Sequence, residues 1–309
     1  MAVDLSPIDE SLLATIANLH GMPKGAFNIR RDGKLVERHS TAYIDIETLS
    51  DNPGINVHVK PGTKGESVFI PVIVTQAGLK DVVYNTFDIG EDCDIEIIAG
   101  CGIHNDSHKA SEHDGIHTFH IGKNSRVKYI EKHYGEGEGS GERILNPVTN
   151  VYLDENSFCE MEMVQLRGVS STVRDTNAKL ADGAKLVLTE RLLTHDDQTA
   201  TSNVVIELEG EDSNVQVVSR SVAQDNSVQV FNPLVVGKAN CRGHVQCDAI
   251  LMGDARVKSV PAIEAESPDA MLMHEAAIGK IAGDQIIKLM TLGLSEEEAE
   301  QEIIDDFLS

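Results

Sequence analysis

The feature that most constrains this chain is a recurring turn. Gly122-Lys-Asn-Ser, Asp154-Glu-Asn-Ser, Asp182-Gly-Ala, Gly210-Glu-Asp-Ser-Asn and Gly237-Lys-Ala-Asn begin 32, 28, 28 and 27 residues apart. Short apolar runs rich in Val and Ile accompany them. Val68-Phe-Ile-Pro-Val-Ile-Val74, Ile95-Glu-Ile-Ile98, Val127-Lys-Tyr-Ile130, Leu186-Val-Leu188, Val204-Val-Ile206 and Val215-Gln-Val-Val218 are examples. β-Branched residues in short runs between turn residues signal strands. From about Asn28 to Ala265 no helical stretch of ten or more residues interrupts them, which argues against an alternating βαβ fold. One turn plus short strands, repeated, points to a solenoid whose coils stack and bury inward-facing Val, Ile and Leu. A parallel β-helix fits this pattern. A β-sandwich is its rival, because spacing alone does not fix strand order.

The ends read differently. Ser6 caps a short helix, Pro7 suits its first turn, and Leu12, Leu13, Ile16 and Leu19 form a helical stripe that Gly21 and Pro23 end. Near the C-terminus, Ala282 to Leu292 carries Ile286, Ile287, Leu289 and Met290, and Gly293 stops it. Ser295 with Glu298 is a capping box for a last helix bearing Ala299, Ile303, Ile304 and Phe307 on one face. That face either packs on the β domain or docks a partner, and sequence alone favours packing. The expected organisation is an N-terminal helical segment over 1–27, a β core over 28–268 and a C-terminal helical segment over 269–309.

Composition excludes several classes. Aromatic residues make up only 4% and Trp is absent, so the core must be aliphatic. A formal charge of -24 repels phosphate backbones and argues against nucleic-acid binding. No stretch reaches the roughly 20 apolar residues of a membrane span. The opening MAVDLSPIDE lacks a basic region followed by an apolar run, so no leader is expected and the chain reads as cytoplasmic. Cys93, Cys101, Cys159, Cys241 and Cys247 are odd in number and scattered, which in a reducing compartment means thiols.

Three groups of residues could carry chemistry. Gly100-Cys101-Gly102-Ile103-His104 opens a region containing His104, His108, His113, His117, His120 and His133. Cys101, His104, His108 and His113 are metal-capable, although no second Cys is near and a histidine-rich surface loop is the plainer reading. The flanking glycines suggest a Cys101 open to a reactant. His244-Val-Gln-Cys247-Asp248 places a thiol on a strand beside an imidazole, while Cys159 and Cys241 read as small buried residues. His274-Glu275, in a segment leading into a helix, offers two ligands or a base. Gly135-Glu-Gly-Glu-Gly-Ser-Gly141 reads as a flexible loop whose acids would repel phosphate. There is no phosphate loop, nucleophile elbow or paired CxxC, so nothing announces a hydrolase or an oxidoreductase.

Taken in order, these residues resemble a known family. Gln246-Cys-Asp-Ala-Ile-Leu-Met-Gly253, Pro261-Ala-Ile-Glu264, His274-Glu-Ala-Ala-Ile-Gly-Lys-Ile281, Asp284-Gln285, Gly293-Leu-Ser-Glu-Glu-Glu-Ala299, Ile303-Ile304 and Phe307 are similar to the C-terminal half of SufB. Upstream, Gly100-Cys101, His113 and Val127-Lys-Tyr129 resemble it more loosely and collinearly, so the likeness runs from roughly Asp81 to Ser309. The resemblance to the SufB/SufD family implies a mainly β, right-handed parallel β-helix with a short helical N-terminus and C-terminal helices. It implies a non-enzymatic scaffold that holds a transient iron–sulfur cluster and passes it to apo iron–sulfur proteins. The implied partners are a SufC-type ABC ATPase and a cysteine desulfurase or other sulfur donor.

By position, the resemblance makes Cys101 the sulfur-accepting cysteine, and Cys247 with Glu275 and His274 the cluster site. It makes Ile286, Leu289, Met290, Leu294, Ile303 and Phe307 the ATPase docking residues. The chain departs from SufB in lacking a long N-terminal region with clustered cysteines. It departs from SufD in carrying Ala249 where a histidine would follow the matching cysteine. These departures suggest a compact SufB-like version that forms a homodimer. The alternatives are a SufD-like structural partner holding no cluster and a His-rich metal-binding β-helix protein.

Overall fold

The structure, a computed structural model, describes residues 5–308. Met1 to Asp4, part of the stretch read as carrying no leader, and Ser309 lie outside the described residues.

The chain winds into a parallel β-solenoid of about eight turns made of two sheets. A ten-stranded sheet holds Ala26–Arg31, Lys64–Val74, Asp94–His104, Arg126–Glu136, Phe158–Gln165, Lys185–Thr194, Asn214–Ala223, Arg242–Leu251 and Met271–Gly279 in parallel order. An eleven-stranded sheet faces it, with Lys80–Ile89, Ser111–Ile121, Ser171–Leu180, Thr199–Leu208 and Val228–Gly237 as its long strands. Two of its levels are split, at Asn146-Pro147 and at Val260-Pro261. Proline cannot donate to a ladder and interrupts a strand at such places. The parallel pairings rule out the sandwich.

The recurring turn is one corner of the solenoid, repeated. Asp92, Asn124, Asn156 and Asp212 adopt positive φ of 56–58° there, and Gly183 takes the same place with φ 66°. Asn and Asp tolerate this left-handed conformation better than other non-glycine residues. Each such residue donates its N–H to the turn of the next coil: Asp92 to Lys123, Asn124 to Glu155, Asn156 to Asp182, Gly183 to Glu211 and Asp212 to Asn240, at 2.8–3.1 Å. Inside this corner only small side chains fit, namely Cys93, Ser125, Ser157, Ala184, Ser213 and Cys241. Cys241 is thus a buried corner filler, and Cys159 is buried in the aliphatic interior between Val127 and Leu186, both as read from the sequence.

The interior is divided lengthwise. The half near this corner is aliphatic with a short aromatic stack, Phe87 on Phe119 at 4.5 Å. Each fully buried Ile, Leu or Val there contributes about 1.5–3 kcal/mol. The other half carries most of the buried polar side chains, with a small apolar cluster of Val72, Val74, Ile103, Leu145 and Val169 at its N-terminal end.

The two ends of the solenoid differ. At the N-terminal end, antiparallel strands Lys34–His39 and Ile44–Thr48 close both sheets. Helix α1, Pro7–Ala17, lies on the outer face of the ten-stranded sheet and buries Leu12, Leu13 and Ile16. Its capping box is present, with Ser6 and Asp9 bonded reciprocally. At the other end the last coil, Met271–Gly279 with Ala262–Ala265, has no strand beyond it among the described residues. Val260, Ile263, Met271, Met273 and Ile278 are exposed there. The tail follows as α2, Gly283–Thr291, and α3, Glu296–Leu308.

Two expectations change. His274-Glu275 was expected to lead into a helix within a helical segment beginning at 269, but it sits in strand Met271–Gly279. Parallel pairing with Arg242–Leu251 captures that stretch before the helix starts at Gly283. The glycine-rich run at 135–141 ends the strand Arg126–Glu136 and continues as a loop stacked on the loop at 105–109. Gly139 and Gly141 donate to the carbonyls of Asn105 and Ser107 at 3.1 and 2.8 Å. A Cβ on either glycine would come within 2.3 Å of the backbone beneath it, so glycine is required for the stacking.

Candidate functional site

Cys247 sits one coil inside the open end. It faces the interior, is 1% exposed, and pairs in register with Ser219 and Ala276. Burial pushes its thiol up, while the Ser259 hydroxyl, approaching from the opposite sheet without full hydrogen-bond geometry, acts the other way. His274 also faces inward, paired with Val245 two positions before Cys247. Its Nε2 is buried without a hydrogen-bond partner, and burial lowers its pKa. An imidazole nitrogen left orphaned on the inward face that the Cys247 thiol shares is a donor free for a metal.

Glu275 goes elsewhere. It pairs with Gln246 on the outer face and lies 2.9 Å from His244 Nε2. Strand alternation sends neighbouring residues to opposite faces. The structure thus brings Cys247 and His274 to one side of the sheet and leaves Glu275 on the other.

Cys101 lies near the other end, also facing inward and only 2% exposed. The expectation that its glycines expose it is wrong. A Cβ on Gly100 would meet Ile16 at 3.0 Å and one on Gly102 would meet Leu12 at 3.0 Å. The glycines let α1 lie close against the outside of the sheet, and the thiol between them turns inward. Burial pushes that thiol well up, and Asp81 and Glu131 add to the effect.

A buried polar network surrounds Cys101. It lines a void of about 10 Å³, near the size of one water, together with His113, His117, Glu131 and His133. Arg174 Nη1 donates to Glu131 Oε2 at 2.6 Å, and Tyr129 donates to Glu131 Oε1 at 3.1 Å. Although burial favours the neutral acid, His133 and Arg174 hold Glu131 well below the usual carboxylate range. Burial pushes His117 down to about 4, offset in part by Glu131. His113 Nδ1 lies 3.1 Å from Asp81 Oδ2, and Arg30 Nη2 pairs with Asp81 Oδ1 at 3.3 Å.

The network continues toward Cys247. The row of Cys101 passes through His133 and Gln165, and the adjacent inward row runs Glu131, Met163, Glu190, Ser219 and Cys247. Ser202 donates to both oxygens of Glu190, whose pKa burial raises. Both amide atoms of Gln165 are buried without partners beside a void of about 20 Å³. Five coil steps separate the two thiols, about 24 Å at the usual strand spacing, so they do not touch.

Among the described residues, His104, His108 and His113 do not come together as a ligand set. His104 contacts Asp106 at 2.9 Å and Glu136 at 3.1 Å, which raise its pKa against the effect of burial. His108 is exposed, and His113 faces the interior.

Sequence reasoning missed Glu131, Arg174 and Glu190. The signal was parity: Glu131 and His133 continue the inward alternation of Val127 and Tyr129, and Glu190 that of Leu186 and Leu188.

The family model described as SUF system FeS cluster assembly, SufBD core domain, matches residues 85–307. The chain is 26% identical over 291 residues to an iron–sulfur cluster assembly SufBD family protein of Methanocaldococcus jannaschii, covering 93% of this chain and 90% of that one. It is 24% identical to one from Archaeoglobus fulgidus, covering 89% and 73%. One from Pyrococcus horikoshii is 27% identical over 233 residues, covering 75% and 69%.

Proposed function

The chain belongs to the SufBD family of iron–sulfur cluster assembly proteins, and from that premise we propose that it is the scaffold on which the cluster is built. It gathers iron and sulfur at Cys247 and His274 and passes the nascent cluster to apo-proteins; sulfur acceptance at Cys101, a buried thiol that burial pushes up, requires the coils around it to open first. ATP hydrolysis belongs to a SufC-type partner, and the setting is the cytoplasm. The observation that carries the reading is the orphaned His274 Nε2 on the inward face that Cys247 shares, at the uncapped end of the solenoid. Thiolate and imidazole both suit iron, and a mixed set holds a cluster less tightly than four thiolates, which favours handing it on.

The open end supports a homodimer. A solenoid needs capping at both ends, and an exposed apolar edge invites pairing. A second copy at this end would place two Cys247 residues near a two-fold axis and cover Ile263, Met271 and Met273. The exposed apolar side chains of α2 support the tail as the ATPase dock. Among the described residues no helix is long and apolar enough to cross a membrane.

Anaerobic reconstitution with iron and sulfide tests the scaffold reading. A visible chromophore with stoichiometric iron and sulfide, lost in Cys247→Ser, is the expected result. A wild-type protein that binds the ATPase yet never gains a chromophore is instead a SufD-like structural partner. The outward-facing Glu275 favours that second reading, because one protomer alone offers Cys247 no carboxylate from this strand. A solution mass of one chain, with or without the ATPase, rules out the homodimer.

A further inference from the structure

Two inward rows face each other across the interior. Glu190, Ser219 and Cys247 stand in register on the ten-stranded sheet. Ser202, Phe231 and Ser259 stand in register on the opposite sheet. Each residue of the second row follows its counterpart in the first by 12 positions, so the same length of chain links every pair. At the first level the rows touch. Ser202 donates to both oxygens of Glu190, at 2.8 and 3.0 Å. The interior is narrow enough there for a serine hydroxyl to reach a group on the facing strand.

Two coils further on, Ser259 stands to Cys247 as Ser202 stands to Glu190. Ser259 ends strand Arg256–Ser259. The Val260 N–H donates to the Phe231 carbonyl at 2.8 Å, which holds the register up to the split at Pro261. The Ser259 hydroxyl approaches the thiol. Yet its Oγ is buried without a hydrogen-bond partner. The difference lies in the acceptor. Glu190 offers carboxyl oxygens, whereas a thiol that keeps its proton accepts only weakly. A buried donor left unpaired destabilises the unloaded site. A metal-bound sulfur is anionic, and hydrogen bonds to charged acceptors are the strong ones.

We propose that Ser259 is a positioning residue for Cys247: when a metal ion displaces the thiol proton, the Ser259 hydroxyl donates to the metal-bound sulfur and fixes its place. This role rests on the reading of Cys247 as a metal-binding thiol of the scaffold. The S–H bond breaks, the metal–sulfur bond forms, the proton goes to the buffer, and no electron changes hands. Ser259 itself does not touch the metal. It acts through the sulfur, as hydrogen bonds to ligand atoms do at other metal sites.

The test is anaerobic titration of the full chain with cobalt(II) alone, read by the thiolate-to-cobalt charge-transfer band. Wild type gains the band and Cys247→Ser does not. Ser259→Ala binds cobalt about tenfold more weakly. Its band moves to longer wavelength, because a sulfur without the hydrogen bond gives up charge more easily. Ser259→Thr restores both. Ser259→Val has the shape of Thr without the hydroxyl and behaves like Ser259→Ala, which separates the hydroxyl from packing. Unchanged band position and affinity in Ser259→Ala and Ser259→Val would overturn the proposal. So would a wild type with no band that depends on Cys247. Loading the same proteins with iron and sulfide tests the scaffold reading separately: a wild type that gains no cluster loses that reading, while the cobalt band still decides the role of Ser259.

Discussion

Cys247 and Glu275 lie on opposite faces of the same sheet: Cys247 is buried opposite Ala276, while Glu275 points outward to His244 at 2.9 Å. A side chain cannot reach through a paired sheet. Joint action of these two residues on one metal therefore requires a second protomer or a rearranged edge strand.

Glu275→Gln should leave the alkylation rate of Cys247 in the isolated protomer unchanged, because the carboxylate is on the far face. His274→Ala should raise that rate, because it opens the inward side of the edge. Mass-spectrometric labelling at pH 8 reads both. Cys101 should label last among wild-type positions near the polar network, since burial holds its thiol protonated.

Gly102→Ala should loosen α1 by about 1–3 kcal/mol, since its Cβ would press on Leu12. Leu12→Ala alone should cost about 2–5 kcal/mol. The double variant should be more stable than the two losses summed, because the smaller residue 12 makes room. Urea melts and hydrogen exchange of residues 7–17 check this.

Stability should fall as pH drops from about 6.5 to about 4. An unfolded histidine takes a proton near 6.5, whereas burial holds His117 at about 4 and lowers His133. Through that window the unfolded chain binds protons the fold refuses, and His117 alone contributes a loss of about 3 kcal/mol. Glu131, held low in the fold, adds a loss as pH falls below the usual carboxylate range. Glu190 has the opposite sign: its raised pKa gives stability that is full in acid and lost as pH rises through the folded value. Urea midpoints against pH should show a flatter acid limb for His117→Asn. Glu190→Gln should exceed wild type at pH 7 and match it in acid.

The two tail helices should respond differently to charge. Ala299 and Ile304 of α3 are buried, whereas Ile287, Met290 and Leu292 at α2 are exposed. Ile304→Asp should detach α3 and raise its hydrogen exchange. Ile287→Asp with Leu292→Asp should leave exchange and thermal stability unchanged but, if the tail docks the proposed SufC-type ATPase, abolish co-purification with it. Persistent binding would place the dock elsewhere.

Much of the architecture was legible because it is local. Alternation in Val127-Lys-Tyr-Ile130, the Asx and Gly turns, and the box from Ser295 to Glu298 each depend on neighbours within a few residues. The site was less legible. The glycines around Cys101 read as openness, but they serve α1, an element more than 80 residues earlier in the chain. His104, His108 and His113 read as a cluster because they are near in sequence, while strand alternation and separate acidic partners disperse them.

The sequence by itself determined that the chain coils, where each coil turns, and which face of each strand is apolar, since period and turn chemistry act over short range. Only the tertiary structure decided that Glu131, Arg174 and His133 share one buried network. It alone decided that Cys101 and Cys247 face the same interior about 24 Å apart, and that Glu275 turns away from both. The reason is register. Stacking sets which residues of successive coils meet, and that depends on pairings some 30 residues apart, which no local pattern encodes.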